Sequence, residues 1–220
     1  MREALTVVDH PIVAHRLTEL RDERTNPDRF HQLMAELTTF LAYEALGDLG
    51  TSELEVRTPM GTGRGRVLTE TVLVVPVLRA GLGMVPGVAR VAPNCDVAHL
   101  GLKRDEHTLS AVCYLDGLPA DLRGRRVVVC DPMLATGGSL VQACHLIASR
   151  GASGIVALCL VASEPGLRHF SSQLPQVAVV CAAVDPGLDE HGYILPGLGD
   201  AGDRLFGPPG EGLSLRQPRG

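Results

Sequence analysis

A mostly parallel α/β sheet flanked by helices is the fold class this sequence predicts, on two observations. Five short, unbroken apolar runs begin at residue 72: VLVVPV at 72–77, DVAHLGL at 96–102, VVVC at 127–130, IVALCLVA at 155–162 and VAVVCAAV at 177–184. Unbroken runs suit strands covered on both faces, and the segments between them at 82–91, 139–149 and 165–173 have helical character. Ligands of such sheets sit beyond the carboxyl ends of the strands, so the loops after each run are where chemistry is expected.

The elements before the sheet follow from local signals. Pro11 can open a helix reaching about Asp22, and Asn26-Pro27 supplies an N-cap with Pro at the first helical position. In the second helix Phe30, Leu33, Met34, Leu37, Phe40, Leu41 and Ala45 recur at helical spacing, and Gly47 supplies a stop. Residues 1–50 are thus a helical part. Leu54, Val56 and Thr58 alternate with charged neighbours, and Pro59 to Gly65 is turn-like, so 51–70 is expected to form a partly exposed hairpin arm. Residues 71–207 carry the core and its loops, and 208–220, rich in Pro and Gly, reads as a loose tail. One domain over 1–220 accommodates all of these.

Composition narrows the function. The 220 residues carry 20 Lys plus Arg against 25 Asp plus Glu, a net charge of −5, with three Tyr, four Phe and no Trp. Neither the bulk positive charge nor the aromatic platforms of a general nucleic-acid binder are present. No apolar run approaches a membrane span, and no charged start precedes a long apolar stretch, so a cytoplasmic protein is expected. The six cysteines form no C-x-x-C pair, and Cys130, Cys159 and Cys181 lie inside strand-like runs, as expected of buried reduced thiols.

The segment with the most specific chemistry is DPMLATGGS, Asp131 to Ser139, between the run VVVC and a helix bearing Leu140, Ala143, Cys144 and Ile147 on one face. Thr136, Gly137, Gly138 and Ser139 put small residues where backbone N–H groups converge at a helix start, which suits a phosphate. Asp131, at the strand end, can accept hydrogen bonds from sugar hydroxyls or hold Mg²⁺ through water. The competing reading is a simple turn in which Ser139 caps the helix. A second loop, Arg79-Ala80-Gly81-Leu82-Gly83, offers a guanidinium fork for a polyphosphate; its glycines imitate a dinucleotide fingerprint, but Pro86 stands where that pattern needs Gly. Lys103 to Thr108 reads as a solvated loop or as a mobile flap carrying Arg104. Tyr193 to Gly207, YILPGLGDAGDRLFG, is too rich in Gly and Pro for a regular helix, and reads as a surface loop or a tightly packed recognition loop. Its paired Asp200 and Asp203 also raise a metal reading, which lacks a third ligand.

Together, VVPVLRAGLGM at 74–84, DPMLATGGS at 131–139 and GYILPGLGDAGDRLFG at 192–207 closely resemble the uracil phosphoribosyltransferase family. The likeness covers nearly the whole chain. It implies a type I phosphoribosyltransferase-like fold and transfer of the 5-phosphoribosyl group from 5-phosphoribosyl 1-diphosphate (PRPP) to uracil, giving UMP and diphosphate, in pyrimidine salvage. It also implies that Asp131, Pro132, Met133, Leu134, Ala135, Thr136, Gly137, Gly138 and Ser139 hold the ribose and its 5-phosphate, and that Arg79 and Arg104 bind the diphosphate. Tyr193, Ile194, Gly199, Asp200 and Ala201 would then bind uracil, with Asp200 also reaching the sugar. Arg79, Arg104, Asp131 and Asp200 are the expected catalytic set. Mg²⁺ is expected to be carried by PRPP, with no metal ligand assigned to the chain; a homodimer or higher homo-oligomer and a GTP effector are further expectations of the resemblance. The flap departs from the family, with Ser110, Ala111, Val112, Cys113 and Tyr114 where Glu-Pro-Val-x-Tyr is usual, and His31 stands where Arg is common. A transferase for another base such as a purine, or a non-catalytic PRPP or nucleotide sensor or nucleic-acid regulator, is the alternative on the same fold.

Overall fold

A computed structural model describes residues 4–104 and 111–207, apart from the side chains of Arg104 and Ala111. The 208–220 tail and the flap residues 105–110 lie outside the described residues. Strand β1 (Leu5–Val7) precedes helices α1 (Pro11–Arg21) and α2 (Pro27–Ala45). The Asn26 side chain accepts from the Arg29 N–H and Pro27 occupies the first turn, so α2 starts where the sequence expects. The hairpin arm, β2 (Thr51–Thr58) and β3 (Gly61–Leu68), is antiparallel, and β2 is exposed along its entire length.

The sheet proper begins with β4 (Thr71–Leu78), followed by a 3-10 turn at Ala80–Met84 and α3 (Val85–Val91). It continues through β5 (Asp96–Val97), β6 (Leu100–Arg104), β7 (Ala111–Asp116), β8 (Arg125–Cys130), β9 (Met133–Leu134), α4 (Gly138–Ser149), β10 (Gly154–Ser163), α5 (Glu164–Gln173) and β11 (Ala178–Asp185). The chain then forms a small ladder of β12 (Gly187–Leu188) and β13 (Ile194–Leu195), and α6 (Ala201–Phe206). The order across the main sheet is β1-β11-β10-β8-β4-β6-β7, with β5 beside β4 and β9 beside β10. Every pairing is parallel except β6 with β7.

The apolar runs are unbroken because both faces are buried. Val72, Val74, Val128, Cys130, Val156, Leu158 and Val180 face a core shared with Val13, Leu17, Phe30, Leu33, Leu37, Leu41 and Val88 of α1, α2 and α3. The alternate residues Leu73, Val75, Val127, Val129, Ala157, Cys159, Val179 and Cys181 face α4 and α5 through Leu140, Ala143, Ile147, Leu167 and Phe170. Each strand thus alternates between two cores, giving a helix, sheet, helix sandwich.

Three expectations need correction. The run at 96–102 is two strands, because β5 pairs β4 at Leu73 and Val74 whereas β6 pairs it at Val77 and Leu78, leaving Ala98 and His99 between them. The stretch at 82–91 begins as a 3-10 turn, with Pro86 confined to the first turn of α3, where its missing N–H is harmless. Tyr193 to Gly207 does contain a regular helix, α6. The Asp200 side chain accepts from the Asp203 N–H, so the cap starts what composition disfavours, and Gly207 at φ +76° ends it after six residues. Cys130, Cys144, Cys159 and Cys181 are free and buried, with burial pushing the Cys144 and Cys181 thiols up to about 12. Among the described residues no helix is long and apolar enough to cross a membrane.

Candidate active site

Three loops meet beyond the carboxyl ends of β4, β8, β10 and β11. The first leaves β8. The Asp131 N–H donates to Leu158 O, and the Leu160 and Val161 N–H groups donate to Pro132 O, so β10 fixes the path of the loop. Residue 137 then takes φ +84° as the residue preceding α4, a conformation open to glycine, and no side chain caps the helix. Ser139 is already inside α4 and does not perform the capping role of the alternative reading. The uncapped N–H groups border a small pocket of about 70 Å³ lined by Asp131, Met133, Leu134, Ala135, Thr136, Gly137, Gly138, Ser139 and Leu140. Such a pocket can receive an anion on backbone donors and the helix dipole. Asp131 keeps some contact with solvent, yet its carboxyl is sunk deeply enough at the strand end that burial pushes it up to about 7; the Met133 N–H at 3.4 Å opposes this only weakly.

A support that sequence reading missed lies under this loop. Ser163, the last residue of β10, donates its hydroxyl to Ala135 O at 2.6 Å and accepts from the Gly166 N–H at 2.9 Å. A Cβ at Gly166 would stand 2.1 Å from Ala135 O, so α5 can approach the loop only because residue 166 is glycine.

The second loop follows β4 through a cis Leu78–Arg79 peptide. Its glycines have packing duties: a Cβ on Gly81 would lie 2.3 Å from Cys130 O, on Gly83 2.4 Å from Met34 Sδ, and on Gly87 2.5 Å from Ala35 O. They seat the loop and α3 against β8 and α2, which accounts for the glycines without a dinucleotide. The Arg79 Nη2 is 2.9 Å from Asp203 Oδ1 of α6.

The third loop runs from β11 to α6 and carries the buried Ile194 of β13 and the half-exposed Tyr193; it ends at the buried Ala201, the first residue of α6. Gly199 has φ +75°, and Leu195–Pro196 is cis. Two arginines not expected from sequence brace it. Arg21, at the end of α1, makes a bidentate pair with Asp185 at 2.7 and 2.8 Å and donates to Gly197 O at 2.7 Å, while Asp185 Oδ2 accepts from the Gly197 N–H at 2.9 Å. Arg204 donates to Leu20 O, Asp22 O and Leu198 O and lies 4.2 Å over the Phe30 ring; desolvation lowers its pKa. The strand-end position of Asp185 was the one available signal.

The structure therefore brings together Arg79, the 131–139 loop and the 193–201 loop along one edge of the sheet. Arg104 ends β6, next to β4, and its side chain lies outside the described residues. The metal reading of the paired aspartates does not fit the geometry: the Asp203 carboxylate pairs with Arg79, and Asp200 Oδ1 caps α6. Among the described residues, no three His, Cys, Asp or Glu side chains gather where they could hold a metal ion.

A model of the uracil phosphoribosyltransferase family matches residues 7–208. The chain belongs to the uracil phosphoribosyltransferase family. A relative with that name from Kineococcus radiotolerans is 53% identical over 207 residues, covering 92% of this chain and 98% of its own. The Dictyoglomus turgidum uracil phosphoribosyltransferase is 47% identical over 202 residues, covering 91% and 98%. Among solved structures, the AQ2163 protein of Aquifex aeolicus superposes with a TM-score of 0.88 at 38% identity, covering 92% of this chain and 98% of that one. Family membership and the sandwich of helices around a parallel sheet thus agree with the type I phosphoribosyltransferase-like fold that the resemblance implies.

Proposed function

We propose that the three loops divide one substrate pair among them. The enzyme transfers the 5-phosphoribosyl group of PRPP to uracil, releasing diphosphate and forming UMP, which places it in pyrimidine salvage. In our reading, the α4 N-terminus with Thr136 to Ser139 holds the 5-phosphate, Asp131 accepts from the ribose hydroxyls, and Arg79 and Arg104 hold the diphosphate. Ile194, Gly199, Asp200 and Ala201 read the base through their backbone groups beside Tyr193. Since Asp200 Oδ1 is engaged at the cap of α6, contact with the sugar falls to its other oxygen. The observation that supports this best is the meeting of an uncapped helix start, an arginine and a backbone-rich loop beyond neighbouring strand ends.

The chemistry asks for no covalent nucleophile. As the C1–oxygen bond of PRPP breaks, positive charge grows on the ribose and negative charge on the departing diphosphate, and fixed guanidinium donors stabilise the latter most as it leaves. Mg²⁺ enters in this proposal with PRPP, as part of the substrate.

Backbone N–H groups suit the two carbonyl oxygens of uracil, and a backbone carbonyl suits its N3–H. Cytosine presents an acceptor and an amine in place of two of these, leaving mismatched buried groups at about 1–3 kcal/mol each. Incubation with PRPP, Mg²⁺ and each base tests the reading: uracil and 5-fluorouracil give nucleotide, and cytosine is at least about a hundredfold poorer in kcat/KM. Comparable values for cytosine and uracil would refute backbone readout, and UMP formation with and without GTP tests the effector.

We also propose that a second copy of the chain covers the arm. Leu54, Val56 and Val67 share one exposed face of β2 and β3 with Gly61, Gly63 and Gly65, while Glu53, Glu55, Arg57, Arg64 and Arg66 occupy the other. A flat apolar face backed by a charged one suits a two-sided arm with one covered side, and a homodimer in the cytoplasm supplies that cover.

A further inference from the structure

Asp203 has no part in the roles above, yet it lies between the diphosphate and base loops. We propose that Asp203 is a positioning residue for the transfer, fixing the guanidinium of Arg79 so that its remaining donors are presented to the diphosphate of PRPP. The proposal rests on the assignment of Arg79 to the diphosphate.

The geometry gives Asp203 a fixed place from which to act. Its N–H donates to Asp200 Oδ1 at 2.9 Å and its carbonyl accepts from the Gly207 N–H at 2.8 Å, so both ends of its peptide environment are held. The Arg79 side chain is about 42% exposed and that of Asp203 about 40%, but Asp203 is short and its backbone is held, whereas a long side chain so placed samples many rotamers unless something holds it. The 2.9 Å bond from Nη2 to Asp203 Oδ1 is the hold, and it occupies one of the five donors of the fork. A Cβ at Gly202 would stand 3.5 Å from Nη2, an ordinary contact, so the guanidinium lies directly against the first turn of α6. A carboxylate near a polyphosphate repels it, so its presence is useful only if the gain from orienting Arg79 exceeds that repulsion. Charge and acceptor are separable: Asp203→Asn keeps an oxygen for Nη2 and removes the charge, whereas Asp203→Ala removes both.

The test is steady-state kinetics and PRPP titration calorimetry on the full-length enzyme with D203N, D203A, R79A and the double variant R79A/D203A, with thermal unfolding as the check on folding. Expected is about a tenfold loss of kcat/KM for PRPP in D203A, with the uracil KM within about twofold of wild type. D203N stays within about threefold of wild type, and R79A/D203A is no worse than R79A alone, because Asp203 acts only through Arg79. Losses that multiply in the double variant, or a D203A defect that falls equally on uracil, would overturn the proposal while leaving Arg79 at the diphosphate. Normal PRPP binding and turnover in R79A would instead refute that assignment, and this proposal with it.

Discussion

Adding one methyl group to either of two adjacent glycines should separate the phosphate cradle from its scaffold. At Gly137 the backbone lies at φ +84°, and a Cβ would stand 3.0 Å from Gly166 O and 3.3 Å from His169 Cδ2, pointing toward α5. Ala there carries the left-handed penalty of about 1–2 kcal/mol and must push the α5 backbone aside as well. At Gly138 the backbone is already helical, and a Cβ meets no atom nearer than Thr136 Oγ1 at 4.0 Å. Ala at 138 therefore leaves stability unchanged or raises it by up to about 1 kcal/mol. Gly138 lines the pocket of about 70 Å³ at the helix start, so a methyl added there is expected to compete with an anion for that space. Displacing a phosphate there forfeits at least one charge-assisted hydrogen bond, about 1.5–3 kcal/mol, so the KM for PRPP rises about 10- to 100-fold. For a chain of this length, a 1–2 kcal/mol loss at Gly137 lowers Tm by roughly 2–8 °C. Differential scanning fluorimetry and PRPP kinetics on Gly137→Ala and Gly138→Ala read the two effects. Gly138→Ala with unchanged PRPP affinity would refute the placement of the cradle, and an unchanged Tm in Gly137→Ala would refute the packing argument.

Other outcomes follow from the same geometry. Burial holds the Asp131 carboxyl at about 7 against an ordinary 3.8, so the folded state binds the extra proton between those values and stability falls as pH rises through that window. Asp131→Asn should therefore gain Tm relative to wild type between about pH 5 and about pH 8, and no change in that difference refutes the assignment. Ionisation of the same group should strengthen wild-type PRPP binding as pH passes about 7, measured by calorimetry. Asp185→Ala strands Arg21, whose partner side chain is only 8% exposed, and should lose about 2–4 kcal/mol in denaturant titration and raise the uracil KM more than the PRPP KM. Leu54→Glu with Val56→Glu should shift the protein to monomer in light scattering, and an unchanged mass would show that the arm is not the interface.

What could be read in the sequence was local. Strands β4, β8, β10 and β11 are unbroken apolar because each is buried on both faces, and α2 repeats its apolar residues at helical spacing. The phosphate loop compresses a strand end, two glycines and a helix start into nine residues, so its chemistry is visible in one window. Strand β1 is three residues long, with no face of its own to announce it; it exists because β11 offers an edge to Leu5, Thr6 and Val7. Helix α6 was hidden because its start depends on a cap and its composition argues against it, the reverse of the situation in α2. The pairing that braces the base loop could not be read, since Arg21 and Asp185 are 164 residues apart and the strand-end position of Asp185 signals one partner only.

That division has a physical cause. In the proposed function the groups that meet substrate are mostly backbone N–H and C=O on glycine-rich loops, and such loops have little side-chain packing to hold them. The rigidity must come from elsewhere in the fold: Ser163 of β10 for the phosphate loop, Arg21, Asp185 and Arg204 for the base loop, and Asp203 for Arg79. Ser163, Arg21, Asp185 and Arg204 each grip one loop by its backbone and the surrounding fold with their other bonds, whereas Asp203 ties Arg79 to the start of α6. Loss of an anchor should then disturb one substrate more than the other, because the loops are braced by different residues. Ser163→Ala, which removes the bond to Ala135 O and strands the Gly166 N–H, should raise the PRPP KM and leave the uracil KM within about twofold, the opposite pattern to Asp185→Ala. Both variants raising both constants equally would mean that the two loops move as one body, and the separate bracing inferred from the hydrogen bonds would be wrong.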